Sequence, residues 1–175
     1  GGLAASGGYY VAAPCRFIVA NELTITGSIG VIIQSINMHG LMEKVGVKPV
    51  TYKSGDNKDM LSPFNSPESV SSVQKAILDG FIKETYNKFV KVVEEGRKKV
   101  GGRNTKLAKG LGSDWADSAD GRILSGKQAL DLGMVDELGN YDFAVAFAEK
   151  YVGVEEGKKA RLVQHEPPLN FGGLF

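Results

Sequence analysis

Short apolar runs punctuated by glycine fill the first third of the chain, and longer runs with helical spacing fill the middle. Phe17-Ile18-Val19-Ala20 and Val31-Ile32-Ile33 are short, continuous and rich in β-branched residues, which predicts two buried strands. Between them, Thr24 to Gly30 is a tight connection broken by Gly27 and Gly30. Met38, Leu41, Met42 and Val45 fall at i, i+3, i+4 and i+7, which predicts a helix over 37–45 that Gly46 can end. Val50-Thr51-Tyr52-Lys53 reads as a further strand. Ser54-Gly55-Asp56-Asn57 is a turn signal leading into Lys58-Asp59.

At Ser66-Pro67 the pattern changes. A serine N-cap, proline at the first helical position and Glu68 in the first turn predict a helix start. Val70, Val73, Ile77, Phe81, Phe89 and Val93 continue at helical spacing, so one long helix to about Lys99 is expected, ended by Gly101-Gly102. The charged residues of 91–99 read as its solvated face. Further on, 125–132 reads as a helix, Met134-Val135-Asp136 as a short strand, 141–151 as an amphipathic helix and Arg161-Leu162-Val163 as a last strand. Strands alternating with helices predict an α/β domain with a largely parallel sheet over 1–165, followed by a loose tail over 166–175.

Composition narrows the function classes. A length of 175 residues suits one domain with a real core. The net charge of +1 favours neither nucleic acid nor an acidic membrane surface. With only Cys15, no internal disulfide can form, and His39 and His165 are too few for a histidine-based metal site. No run approaches the roughly 20 apolar residues of a membrane span. The opening Gly1 to Ser6 lacks the basic and apolar regions of a signal peptide. It reads as the middle of a strand-to-helix turn, so an upstream segment is expected.

The segment Ala4-Ala5-Ser6-Gly7-Gly8-Tyr9-Tyr10 carries the most chemistry. A serine where a helix begins has its hydroxyl near unpaired N–H groups that favour negative charge. The Gly7 N–H could donate to the oxyanion of a tetrahedral intermediate. Serine is also a common N-cap, so this pattern alone is ambiguous. A serine nucleophile needs a base. His39 lies in a predicted helix and His165 beside the Pro167-Pro168 tail, and both are poor candidates. A lysine can serve if burial lowers its pKa. Lys58, with Met60-Leu61 beside it, and the nearby Lys53 both qualify, and spacing does not choose between them.

Three ordered motifs, Ala5-Ser6-Gly7-Gly8-Tyr9-Tyr10, Thr26-Gly27-Ser28-Ile29-Gly30-Val31 and Lys53-Ser54-Gly55-Asp56-Asn57-Lys58-Asp59, resemble the signal peptide peptidase A family. The resemblance covers nearly the whole chain. It implies Ser6 as nucleophile, Lys58 rather than Lys53 as general base, and Ser28 as the residue that hydrogen-bonds the lysine. It also implies a ClpP/crotonase-like α/β fold of stacked strand and helix turns. Gly121 to Gly139 then looks like a late helix-then-strand element of that superfold, with Asp136 in a turn or cap role rather than a catalytic one.

The implied substrates are short apolar peptides such as cleaved signal peptides, with no metal or organic cofactor and no nucleic acid. The implied partners are further copies in a homo-oligomeric ring, with the dyad completed across a subunit boundary in some members. Membrane association would come through a segment outside this chain, at the extracytoplasmic face of a bacterial cytoplasmic membrane. The family's second oxyanion donor, in an upstream loop, has no counterpart here. The rivals are an acyl-CoA enzyme of the crotonase type, using carboxylates without a Ser/Lys pair, and a non-catalytic membrane scaffold, which predicts loss of Ser6 or Lys58.

Overall fold

The computed structural model describes residues 2–103, 110–155 and 157–163. Two compact units are present, Gly1–Leu138 and Gly139–Phe175. In the first, strand β1 (Leu3–Ala5) leads through Ser6 into helix α1 (Gly7–Ala12). Strands β2 (Val19–Ala20) and β3 (Ile25–Gly27) follow, then helix α2 (His39–Val45) and the long helix α3 (Ser72–Arg103). Strand β4 (Ile123–Ser125), helix α4 (Gly126–Asp131) and strand β5 (Glu137–Leu138) complete it.

A three-stranded sheet runs in the order β1-β3-β4. β1 lies parallel to β3, with Leu3 opposite Ile25 and Ala5 opposite Gly27. β4 runs against β3, with Thr26 opposite Leu124. A second pairing sets β2 parallel to β5, with Val19 opposite Glu137. The expected mixture of helix and strand is therefore present. Two of the three pairings among the described residues are parallel and the β3–β4 pairing is antiparallel, because apolar periodicity marks where strands lie and not which way they run.

Two predicted strands do not form. Val31–Ile33 and Val50–Lys53 lie outside any helix or strand, and Ile32 and Tyr52 are 83% and 94% exposed. β-branched residues favour extended backbone, but a strand also needs a neighbour to bond its N–H and C=O groups. No such neighbour stands beside either segment among the described residues. Ile29, just before, is the residue that enters the core.

The middle helix also starts later than its proline suggests. Pro67–Ser69 forms a single 3-10 turn, and the Ser66 hydroxyl is drawn to Glu68. α3 begins after Ser71, whose Oγ accepts the Gln74 N–H at 3.2 Å while Gln74 Oε1 accepts the Ser71 N–H at 3.1 Å. That reciprocal cap satisfies two orphan donors at once. Gly101 and Gly102 lie within α3 rather than ending it, since a glycine costs a helix only about 1 kcal/mol. Phe89 and Val93 are buried, whereas Val73 and Phe81 earlier on the same stripe are exposed.

The core gathers Tyr9 from α1 and Ala13 just after it, Ile29, Phe89 and Val93, Trp115, Leu124, and Ala129, Met134 and Val135. Each large apolar side chain buried there contributes about 1.5–3 kcal/mol. α4 begins in a capping box of Ser125 and Gln128. The predicted strand at Met134–Asp136 is a buried turn instead, and pairing begins one residue later, at Glu137. In the second unit, helix α5 (Tyr141–Tyr151) has the predicted bounds, capped by Asn140 Oδ1 accepting the Phe143 N–H at 2.8 Å. Arg161–Val163 forms no strand. His165 and the expected tail, 166–175, lie outside the described residues. Among the described residues no helix is long and apolar enough to cross a membrane.

Candidate active site

Ser6 is the single residue between β1 and α1, and it holds φ 51° and ψ −120°. A non-glycine residue in such a region carries strain of about 1–3 kcal/mol and needs the surrounding fold to keep it there. Its N–H donates to the Gly27 carbonyl at 2.9 Å, extending the β1–β3 ladder by one step. Its own carbonyl accepts the Tyr10 N–H at 2.9 Å, which opens α1. The Ser6 hydroxyl makes no capping bond and is exposed. The turn thus presents the hydroxyl outward at the head of a helix.

Ser28 lies next to the residue that receives the Ser6 N–H. It too is in the left-handed region, at φ 52°. Its N–H donates to the Arg122 carbonyl at 2.8 Å. Arg122 in turn is gripped by Asp120, whose Oδ1 accepts from Nε at 2.8 Å and whose Oδ2 accepts from Nη2 at 2.7 Å. The guanidinium holds the Asp120 carboxyl at about 2, below its ordinary 3.8. Gly30 presses on the same turn, and a Cβ there would come within 2.9 Å of Gly121 Cα.

These elements frame a cleft of about 650 Å³. Ser6, Gly7 and Ser28 supply its polar groups, and Tyr10, Val31, Ile32 and Phe89 its apolar wall. Tyr10 meets Phe89 edge-to-face, with ring centroids 5.3 Å apart. Lys88 and Asp120 bring opposite charges to the lining. Nothing stands within 4 Å of the position a Cβ would take on Gly7, so its backbone is open to an incoming molecule.

Ser6, Gly7 and Ser28 therefore line one cleft. Lys58 does not. It is exposed rather than desolvated, on a turn outside the cleft lining. That turn is tied to the start of α3, where Gln74 Nε2 donates to the Asp56 carbonyl at 3.0 Å. The cleft meets α3 at Thr85 and Phe89, roughly 16 and 22 Å further along at the helical rise. Lys58 is accordingly not among the residues that line the cleft. Lys53 is no substitute, because its amine is taken by Asp59 Oδ1 at 2.8 Å. His39 also lies away from the cleft lining, with Nδ1 3.1 Å from the Phe64 carbonyl oxygen.

The far side of α1 holds a buried polar cluster. The Tyr9 hydroxyl donates to the Met134 carbonyl at 2.8 Å. Burial pushes this phenol well above its usual range, with Arg97 acting to lower it and Asp136 to raise it. Arg97, fully buried, is ion-paired with Asp136, and Asp136 Oδ2 also accepts the Ile18 N–H at 2.7 Å. Asp136, in the 133–136 turn, is thus also a buried ion-pair partner. Arg97 does not belong to the solvated face. The clue in the sequence was its spacing, since Phe89, Val93 and Arg97 share one stripe at i, i+4 and i+8.

Comparison with known proteins places the chain in a family. The model of peptidase family S49 matches residues 1–155. A protein from Enterococcus faecium named as a signal peptide peptidase SppA is 44% identical over 147 residues, covering 84% of this chain and 39% of its own length. A protein named as a protease from Synechocystis sp. is 40% identical, covering 90% of this chain and 52% of its own length. The chloroplastic serine protease SPPA of Arabidopsis thaliana is 30% identical, covering 95% of this chain and 23% of its own length. The chain thus spans about half or less of these relatives. With the family model matched from the Ser6 turn through α5, the chain belongs to peptidase family S49.

Proposed function

We propose that this chain is the catalytic part of a serine endopeptidase that cleaves short apolar peptides, such as cleaved signal peptides, through an acyl-enzyme on Ser6. The observation that carries it is the strained, exposed Ser6 at the head of α1, opening into an apolar cleft of about 650 Å³ beside Gly7 and Ser28. Membership of a peptidase family supports the same reaction class. The finer fold, stacked strand and helix turns of the ClpP/crotonase type, belongs to the same proposal.

Ser6 Oγ attacks the scissile carbonyl while its proton passes to the neutral amine of Lys58. The Gly7 N–H donates to the oxyanion as the tetrahedral intermediate forms. Collapse breaks the C–N bond, and Lys58 returns the proton to the leaving amine. Water then attacks the acyl-enzyme with Lys58 as base, releasing the carboxylic acid and restoring the Ser6 hydroxyl. Ser28 orients the lysine amine.

Lys58 does not line the cleft that holds Ser6, so in this reading the base comes from a neighbouring copy in a homo-oligomer. The substrate lies along residues 29–36. Among the described residues, no backbone group of that segment takes part in a backbone–backbone hydrogen bond. An extended peptide can bond to such a segment and set its side chains against Val31, Ile32 and Phe89. The protein acts near the extracytoplasmic face of a bacterial membrane, held there by a segment outside this chain.

The test is complementation in the full-length protein. Ser6→Ala and Lys58→Ala should each abolish cleavage of an apolar reporter peptide, Lys53→Ala should not, and mixing the two inactive proteins should restore turnover. Activity in Ser6→Ala would overturn the nucleophile. Failure of the mixture to recover would overturn the shared site.

A further inference from the structure

α1 has six residues, and its N-cap serine makes no side-chain cap. So short a helix has little stability of its own and is held by what it packs on. On its buried side the Tyr9 hydroxyl donates to the Met134 carbonyl at 2.8 Å. That carbonyl belongs to a turn that is itself held from two directions. Arg97 Nε donates to the Gly133 carbonyl at 3.3 Å and its guanidinium pairs with Asp136. Asp136 reaches across to the Ile18 N–H. At the other end of α1, Gly96 lets α3 close on the chain, since a Cβ there would lie 2.8 Å from the Ala13 oxygen.

Arg97 Nη1 is buried without a hydrogen-bond partner among the described residues. A buried ion pair with an unmet donor is poor stabilisation, and an apolar cluster of the same size would serve the core as well or better. What such a network does supply is a defined geometry, and it meets α1 at Tyr9, three residues after Ser6. We infer that Tyr9, braced by the Arg97–Asp136 pair, is a positioning residue for the Ser6 nucleophile. It keeps α1 pressed against the 133–136 turn and thereby holds Ser6 in its strained conformation. Tyr9 and Arg97 touch neither substrate nor reacting atoms. The role rests on Ser6 being the nucleophile.

The experiment uses the full-length protein and a serine-directed phosphonate, which reports the rate of labelling and the fraction of sites labelled separately. Tyr9→Phe keeps the ring and removes only the hydroxyl. Small misplacements of a catalytic group cost up to about 100-fold in rate. The expected result is a roughly ten-fold or greater drop in labelling rate and in kcat, with KM little changed. Labelling should still run to full occupancy. Arg97→Lys, which keeps the charge but not the planar fork, should lower the rate in the same direction. Trp115→Phe, in the core but outside the network, should lower thermal stability and leave the labelling rate alone.

A merely structural Tyr9 would show the wild-type labelling rate with only a lower melting temperature or a smaller labelled fraction, and that outcome overturns the inference. Labelling of wild type at a residue other than Ser6 would instead overturn the nucleophile, and the positioning role with it.

Discussion

Ser6 and Ser28 are joined through Gly27. The Ser6 N–H is bonded to the Gly27 carbonyl at 2.9 Å, and the two serines share nearly the same left-handed φ, 51° and 52°. Strain at two adjacent polar residues facing one cleft is the pattern of a site whose geometry is imposed by its surroundings. Ser6 is held from the helix side by the Tyr10 N–H on its carbonyl, and Ser28 from the turn side by the Arg122 carbonyl.

Relief of that strain separates stability from activity. Ser6→Ala keeps a β-carbon at φ 51°, whereas Ser6→Gly removes it. The glycine variant should unfold at a higher denaturant midpoint than the alanine variant, by about 1 kcal/mol, while both are inactive. An equal or lower midpoint for the glycine variant would show that the backbone is not strained at Ser6.

Gly96 opposes two effects of known size. Replacing it with alanine raises helix propensity in α3 by about 1 kcal/mol. The new Cβ would also stand 2.8 Å from the Ala13 oxygen and 2.9 Å from Pro14 Cα, both backbone atoms that cannot swing aside. Overpacking of this kind costs about 1–3 kcal/mol. Gly96→Ala should therefore be destabilising on balance, as read by equilibrium denaturation, and a gain in stability would mean α3 is free to shift.

Breaking the Arg97–Asp136 pair from one side leaves a buried charge alone. Asp136→Ala should lower stability by about 3–5 kcal/mol. Arg97→Met combined with Asp136→Leu should recover most of that loss, because neither charge is then buried. If the double variant is as unstable as the single one, packing around the pair rather than its charge sets the loss.

The Asp120–Arg122 clamp bears on pH dependence. Its folded carboxyl titrates at about 2 against an ordinary 3.8. A carboxyl lowered on folding contributes stability above its unfolded value, and that contribution fades as pH falls through the folded one. The clamp is therefore intact at every pH above about 4. Proton titration of the Asp120 carboxyl by NMR should give a midpoint near 2. Arg122→Gln should raise that midpoint without moving the rate profile's acid limb. Movement of both would assign the limb to Asp120.

Local rules were enough for much of this molecule. The 141–151 helix, the Gly46 end of α2, the Ser125 start of α4 and the serine poised at a strand-to-helix turn all follow from spacing, caps and glycine. Such features depend on residues within one or two turns of one another, and that information lies in a short stretch of chain. Other outcomes turned on what stands beside a segment in space. Val31–Ile33 and Val50–Lys53 have strand composition but no strand beside them. Arg97 lies among charged neighbours, yet its partner Asp136 is 39 residues away. Lys58 follows the expected motif, but its turn is tied to the start of α3 while the Ser6 cleft meets the helix three turns and more further on. Sequence determined which residues could do the chemistry. Only the tertiary structure decided which of them meet within one chain, because burial, pairing and ion-pair partners are set by contacts that no local pattern encodes.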